Sequence, residues 1–243
     1  MSYVLIIGAK SDIAQAVARE YAKHGYSLYL AGREIQTLHS LATDIKIRTS
    51  VAVELLEFDL GAFHTHQAFY ENLQEKPLGV IVVAGYMAEQ KKCESDWAET
   101  LNTITVNYTG AVSILNIVAN DMEHNKNGFI VGVSSVAGER GRKANYIYGS
   151  SKAAFTAYLS GLRNRLYESG VHVLTVKPGF VATKMTIGLD LPPKLTAQPE
   201  KVARDMFQAQ QKNKDVIYTK SIWKWVMLVI KMIPELKFKG MSI

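Results

Sequence analysis

A single cysteine, Cys93, is all that this chain of 243 residues contains. It cannot close an internal disulfide, so nothing in the covalent framework calls for an oxidising compartment, and a reducing cytosol is expected. Charged residues are also sparse, at 21% against 48% apolar, a balance that excludes a disordered or fibrous chain. Long apolar runs are missing. The nearest to one, residues 222–233, contains Lys224 and Lys231 and falls short of the roughly 18 to 20 residues of a spanning helix. Residues 3–7, Tyr-Val-Leu-Ile-Ile, read as a strand rather than the apolar core of a signal peptide, so none is expected.

The net charge of +6 suggests a nucleic-acid partner only until it is divided along the chain. Residues 220–243 carry five lysines against Glu235, which is +4 and leaves +2 for everything before them. A body so nearly balanced lacks the broad basic face that counterion release on DNA or RNA requires, so no nucleic-acid partner is expected.

Short β-branched and apolar runs at 3–7, 27–31, 51–58, 80–84, 129–133 and 171–176 read as six strands. Between them, 12–24, 34–47, 63–74, 95–124 and 148–169 have helical periodicity. Parallel neighbours need long crossovers, so the alternation predicts an α/β fold: one doubly wound parallel sheet of Rossmann type, with helices on both faces. Residues 1–219 read as one domain without linkers or repeats. Within it, 183–199, with Gly188, Pro192, Pro193 and Pro199, reads as a loop or lid over a substrate, and 220–243 is a basic amphipathic tail.

In such a sheet the ligand crevice lies outside the carboxyl ends of the strands. Gly8, Arg33, Asp59, Gly85, Ser135 and Pro178-Gly179 follow the six runs and would face one crevice. The first turn, Gly8-Ala9-Lys10-Ser11-Asp12-Ile13, leads from strand to helix, where free amides and the helix dipole suit a pyrophosphate. Lys10 stands where a G-x-G-x-x-G motif has glycine, and Asp12 is a good helix N-cap without any ligand, so this turn alone leaves structure and nucleotide binding equally open.

More specific is the ordered set Ser134-Ser135, Tyr148-Gly149-Ser150-Ser151-Lys152 and Pro178-Gly179-Phe180-Val181-Ala182-Thr183. With it the chain resembles the short-chain dehydrogenase/reductase family, in which a serine stands 13 positions before a Tyr-x-x-x-Lys pair; Ser135 fits that interval and Ser134 does not. The resemblance takes in Asn107, Asp59 and Ala84-Gly85 and spans residues 3 to about 185. The family's glycine-rich turn reads Gly8, Asp12, Ala14 here, and its Asn-Asn-Ala-Gly reads Val82-Val83-Ala84-Gly85. The Gly8-x-x-Ser11-Asp12-Ile13-Ala14 variant together with the tail resembles the decaprenylphosphoryl-ribose 2-keto reductase branch.

The resemblance implies an NAD(P)H-dependent oxidoreductase interconverting a ketone and a secondary alcohol. Tyr148 and Lys152 are four apart on an expected helix and share a face, and an ammonium there stabilises phenolate. Tyr148 is the expected general acid/base, and Ser135 would bond the reacting oxygen. By resemblance, Asn107 holds a relay water near Lys152, Lys152 also grips the nicotinamide ribose, Asp59 with Leu60 meets the adenine, and Thr183 meets the carboxamide. Gly8, Lys10, Ser11, Asp12, Ile13, Ala84, Gly85, Pro178, Gly179 and Val181 complete the expected dinucleotide site. Arg33 suits a 2′-phosphate where an acidic residue would bond a 2′-hydroxyl, so NADP(H) is favoured over NAD(H), unless Arg33 merely pairs with Glu34.

Taken singly, each of these residues has an ordinary structural explanation, and a non-catalytic dinucleotide sensor or scaffold is the competing reading. A scaffold has no need of the complete Ser135, Tyr148, Lys152 set. Tyr146 lacks a lysine at the right interval, and no hydrolase motif fits. His64 and His66, without a nearby cysteine or carboxylate cluster, are expected to be solvated, and no metal site is expected.

In the tail, Lys220, Lys224, Lys231 and Glu235 fall within about 60° of one another at 100° per residue, beside a broad apolar face with Trp223 and Trp225. Such a helix either lies in a membrane interface or docks on protein, its own body or a second copy. The first alternative would put a cytoplasmic protein at a membrane and its ketone on a lipid or lipid-linked sugar. The family resemblance implies a homodimer or homotetramer.

Overall fold

All six expected strands form, and a seventh joins them at the edge. The computed structural model describes residues 2–188 and 190–241. Strands β1 (Tyr3–Ile7), β2 (Ser27–Gly32), β3 (Val53–Glu57), β4 (Gly79–Val82), β5 (Phe129–Val133) and β6 (His172–Pro178) lie parallel with β9 (Val216–Thr219) in the order β3-β2-β1-β4-β5-β6-β9. A small second sheet pairs β7 (Phe180–Val181) with β8 (Thr196–Ala197).

Alternation along the central strands builds both cores. Val4 and Ile6 of β1 face α1 (Asp12–Lys23), α2 (His39–Thr49) and α8 (Pro199–Gln211), while Leu5 and Ile7 face α6 (Gly110–Asn125) and α7 (Tyr146–Leu166). A strand covered on both faces must be apolar at every position, which is why these runs are continuous rather than alternating. The strand order reverses between β1 and β4, and their carboxyl ends open the crevice where Gly8 and Ala84 lie.

Several boundaries differ from expectation. The helix expected at 34–47 begins as a 3₁₀ turn, Ile35–Leu38, before α2; the one at 63–74 shortens to a 3₁₀ turn and α3 (His66–Glu71). Between α4 (Gln90–Ser95) and α6, the long helix expected at 95–124 divides into α5 (Trp97–Ile104) and a π-helical turn at Thr105–Thr109. Helix α8 and strand β9, in a stretch left unassigned by periodicity, close the sheet. The expected lid is a 3₁₀ turn, Lys184–Thr186, followed by a loop to β8. The tail folds as α9 (Ile222–Met232) and α10 (Glu235–Phe238). Leu189 of the lid and Ser242 and Ile243 of the tail lie outside the described residues.

Candidate active site

Gly8 opens the crevice. Its φ is +84°, and a Cβ there would stand 2.6 Å from the Ala84 amide nitrogen, so only glycine lets β1 and β4 approach so closely. Helix α1 follows, and its N-cap is Ser11, whose Oγ accepts from the Ala14 amide at 3.1 Å. The cap expected of Asp12 therefore falls to its neighbour. The Asp12 carboxylate instead reaches across the crevice and accepts from the Lys184 amide at 2.7 Å, tying the first turn to the lid. The amides of Asp12 and Ile13 find no protein acceptor among the described residues, which leaves two donors for an anion at the positive end of α1.

Past β2, Glu34 pairs with Lys10, not with Arg33, and Lys10 holds the Glu34 carboxyl below the usual carboxylate range. Glu34 sits in left-handed backbone at φ 55°, with its amide held by Glu57 at 2.9 Å. Arg33 is exposed and makes no ion pair among the described residues. At the end of β3, Asp59 Oδ1 accepts from the Gly61 amide at 2.9 Å, and Leu60 is buried where Gly110 lets α6 pass close by. His66, expected to be solvated, is fully buried: its ring bonds Ser113 Oγ at 2.9 Å and the Asp59 carbonyl at 3.0 Å, a structural use of the imidazole. His64 is exposed.

Ser135 caps the 3₁₀ turn Val136–Glu139, with its Oγ accepting from the Ala137 amide at 3.1 Å. Two glycines press this turn onto α7: a Cβ on Gly138 would stand 2.7 Å from the Ala153 amide nitrogen, and one on Gly149 2.8 Å from the Ala137 carbonyl. The Tyr148 hydroxyl thereby comes beside Ser135. Burial raises the Tyr148 pKa, and the nearby Ser135 hydroxyl works in the opposite direction. Ser134 points elsewhere, bonding Thr156 Oγ1 at 2.6 Å and the Lys152 carbonyl at 2.9 Å. Tyr146 is 44% exposed and bonds Glu94.

Lys152 is 2% exposed, and no carboxylate pairs with it among the described residues. Its Nζ donates to the carbonyls of Val133 at 3.1 Å and Ala84 at 3.3 Å and lies 5.9 Å from the centre of the Tyr148 ring. Burial pulls its pKa down to about 8. Asn107, in the π turn, is buried and clamped at both ends by Tyr86: Nδ2 donates to its carbonyl at 2.7 Å, and Oδ1 accepts from its amide at 3.0 Å. A Cβ on Gly85 would be 3.7 Å from both Asn107 Oδ1 and Lys152 Nζ, so Gly85, Asn107 and Lys152 meet at one point.

On the far side, Pro178 ends β6, Val181 is buried, and Thr183 caps the lid's first turn. Gly179 lies beneath the Trp223 indole, where any Cβ would collide with the ring. Trp223 Nε1 donates to the Leu195 carbonyl at 3.0 Å, so the tail supports the turn and the lid together. Neither this contact nor the Asp12 bond to Lys184 was foreseeable from local pattern, since each joins residues far apart in the chain.

The doubly wound sheet with a Ser, Tyr, Lys and Asn grouping at one crevice defines a dinucleotide-dependent dehydrogenase or reductase. A family model described as short chain dehydrogenase matches residues 2–192, and the chain belongs to that family. It is an oxidoreductase of that class, acting on CH–OH and C=O groups with a nicotinamide dinucleotide. It is 32% identical over 241 residues to an uncharacterised oxidoreductase of Mycobacterium tuberculosis, covering 98% of this chain and 96% of that protein. It is 32% identical over 189 residues to sulfoacetaldehyde reductase 2 of Chromohalobacter salexigens, covering 76% of this chain and 74% of that one. In fold it resembles a short-chain dehydrogenase from Sphingobium yanoikuyae solved in complex with NADPH, with a TM-score of 0.84 at 23% identity and 97% of each chain covered.

Proposed function

We propose that this protein is an NADP(H)-dependent reductase of ketones, run in reverse as a secondary-alcohol dehydrogenase, with Tyr148 as the general acid/base. The observation that carries the reading is the meeting of Ser135, Tyr148, Lys152, Asn107 and Gly85 at one end of the crevice. The bound dinucleotide supplies or accepts the hydride. Gly8 and the free amides of Asp12 and Ile13 cradle its pyrophosphate, with Ser11 and Lys10 in the same turn; Asp59 and Leu60 flank the adenine; Ala84 and Gly85 leave room for the ribose that Lys152 holds. Pro178, Gly179, Val181 and Thr183 form the wall beside the nicotinamide.

A phenol whose pKa burial has raised is protonated at neutral pH and can donate to a carbonyl oxygen as charge grows there. Ser135 bonds the same oxygen, and the Lys152 charge favours the phenolate left behind. Asn107 fixes the Gly85 loop beside Lys152 through its two bonds to Tyr86, and each end of its amide keeps a second bonding site for the relay water expected of it. NADPH consumption over a panel of ketones tests the reading. Tyr148→Phe is expected to lower kcat by about 10²-fold or more, and equal rates would remove Tyr148 from the mechanism.

Arg33 supports the choice of NADP(H), because it is exposed and unengaged while Glu34 is occupied by Lys10. Arg33→Ala should cut the preference for NADPH over NADH by about tenfold, the worth of a charge-assisted bond; an unchanged ratio refutes the assignment.

A second reading concerns location and substrate. On α9 and α10 the residues turned away from the body are Ile222, Trp225, Leu228, Val229, Met232 and Leu236, exposed between 43% and 78%. With Lys220, Lys224, Lys237 and Lys239 around them, this face suits the interface of an anionic bilayer, which would bring a ketone borne on a lipid or lipid-linked sugar to the crevice. No described helix is long and apolar enough to cross a membrane. The family resemblance also favours a homodimer or homotetramer, which sedimentation would test.

A further inference from the structure

The segment between Ser135 and Tyr148 carries four charged residues, Glu139, Arg140, Arg142 and Lys143; the first three approach the tail, and two of these are paired with opposite charges. Glu139, with its side chain 5% exposed, pairs with Lys177 at 2.8 Å and Lys231 at 3.1 Å and accepts from the Tyr218 hydroxyl. Arg140 donates to the Ile230 and Ile233 carbonyls at 2.5 and 2.6 Å, pairs with Glu235 at 3.0 Å and stacks over Phe238. The two Nη groups of that guanidinium hold the carboxyl end of α9 and the start of α10.

Arg142 is the third, and it is unmatched. It pairs with no carboxylate among the described residues; its Nη2 meets only the thioether of Met227 at 3.2 Å, and its Nε is shut off from solvent with no partner. A thioether is a weak acceptor for a guanidinium, and a buried donor left unmade costs more than a bond gained in water. Arginine does not escape by losing its proton. Three residues on, Asn145 Oδ1 is likewise enclosed and unbonded. The two belong to one turn, since the Asn145 amide donates to the Arg142 carbonyl at 3.1 Å, and Asn145 stands at the N-cap position of the helix bearing Tyr148 without a side-chain capping bond. Met227, which touches Arg142, packs with Trp223 and with Val136, the neighbour of Ser135. The unmatched pair thus lies on the segment that joins Ser135 to Tyr148, against the tail residue Met227 that packs on the neighbour of Ser135.

We infer that Arg142 recognises a negatively charged group on the carbonyl substrate, a phosphate or a carboxylate, and that Asn145 accepts a bond from a hydroxyl beside it. The substrate class is then an anionic hydroxyketone rather than a neutral one. The inference rests on the reductase reading. A planar guanidinium matches either oxyanion through paired bonds, and the nearby carboxylates that could have neutralised it, Glu139 and Glu235, are already committed.

Two matched pairs of ketones test this: dihydroxyacetone phosphate against dihydroxyacetone, and levulinate against methyl levulinate. Each is titrated calorimetrically into the full chain and assayed for turnover. The anionic member of at least one pair should bind about tenfold tighter or more, as expected for hydrogen bonds to a charged group. Arg142→Met should bring the ratio close to one, while Arg142→Lys keeps part of it; thermal melting of both variants verifies that they fold. A preference confined to the phosphate pair, or to the carboxylate pair, identifies the anion. No preference in the wild type, or a preference that survives Arg142→Met, overturns the inference. Because titration does not need turnover, anion binding through Arg142 without reduction of any ketone would sink the reductase reading alone. Reduction of neutral and anionic ketones at equal efficiency would sink this inference alone.

Discussion

Lys152 carries its charge in a place that disfavours it. With its pKa near 8 in the folded chain and 10.5 when free, protonation of this group costs the fold about 3 kcal/mol below pH 8. Between pH 8 and 10.5 the unfolded chain holds the extra proton, so the group's contribution to stability rises with pH across that window and is flat below it. Lys152→Met should therefore be more stable than the wild type at pH 7 in the absence of cofactor, by about 1 to 2 kcal/mol once the lost bonds to Val133 and Ala84 are subtracted. The gap should close by pH 10. Urea unfolding at the two pH values checks this, and a variant less stable at pH 7 would show that the two carbonyls need the lysine more than burial opposes it. Ser135 acts on Tyr148 in the opposite sense to burial. Ser135→Ala should move the rising limb of the alcohol-oxidation profile, where the Tyr148 phenolate forms, to higher pH, besides lowering kcat; a limb that stays in place would mean that the two hydroxyls do not interact in the working enzyme.

At the scale of elements, the start of α1 is tied by one hydrogen bond to the 3₁₀ turn Lys184–Thr186. The bond from the Lys184 amide to Asp12 crosses the crevice, and an asparagine would still offer an oxygen there while alanine would not. Asp12→Ala is expected to raise the KM for cofactor about two- to tenfold, the range of a single hydrogen bond, and to speed proteolysis between residues 184 and 196; Asp12→Asn should keep most of both. Equal behaviour of the two variants would show that the lid does not depend on this bond. What was legible in the sequence follows the same division. Six strands and the Tyr148-Lys152 face were readable because burial on both sides of a sheet and helical spacing are local patterns. Ser11 and Asp12 are adjacent and both suit an N-cap, and local pattern did not separate them; the structure gives the cap to Ser11 and the Lys184 amide to Asp12. The π turn at Asn107, the seven-stranded sheet edge at Val216 and the burial of His66 depend on partners many residues away, so no window along the chain contains them.

The tail joins both scales to the whole molecule. One face of α9 is part of the body: Trp223 is 3% exposed over Gly179, Met227 is fully buried, and Arg140 secures the carboxyl end through Ile230 and Ile233. The opposite face, with Trp225 64% and Val229 63% exposed, is turned largely to solvent, and Lys224 lies 5.9 Å from the Trp225 ring centre. The two faces should therefore separate in experiment. Trp223→Ala removes a buried indole and is expected to cost about 3 to 5 kcal/mol of stability and to loosen the nicotinamide wall. Substituting Trp225 and Val229 by serine should leave stability within about 0.5 kcal/mol, as surface changes do, while abolishing flotation with anionic vesicles. If flotation survives the paired serines but fails in high salt, the lysines alone hold the membrane. If the wild type does not float at all, the exposed face awaits protein rather than lipid, and the tail serves the catalytic wall through Trp223 without bringing the enzyme to a bilayer.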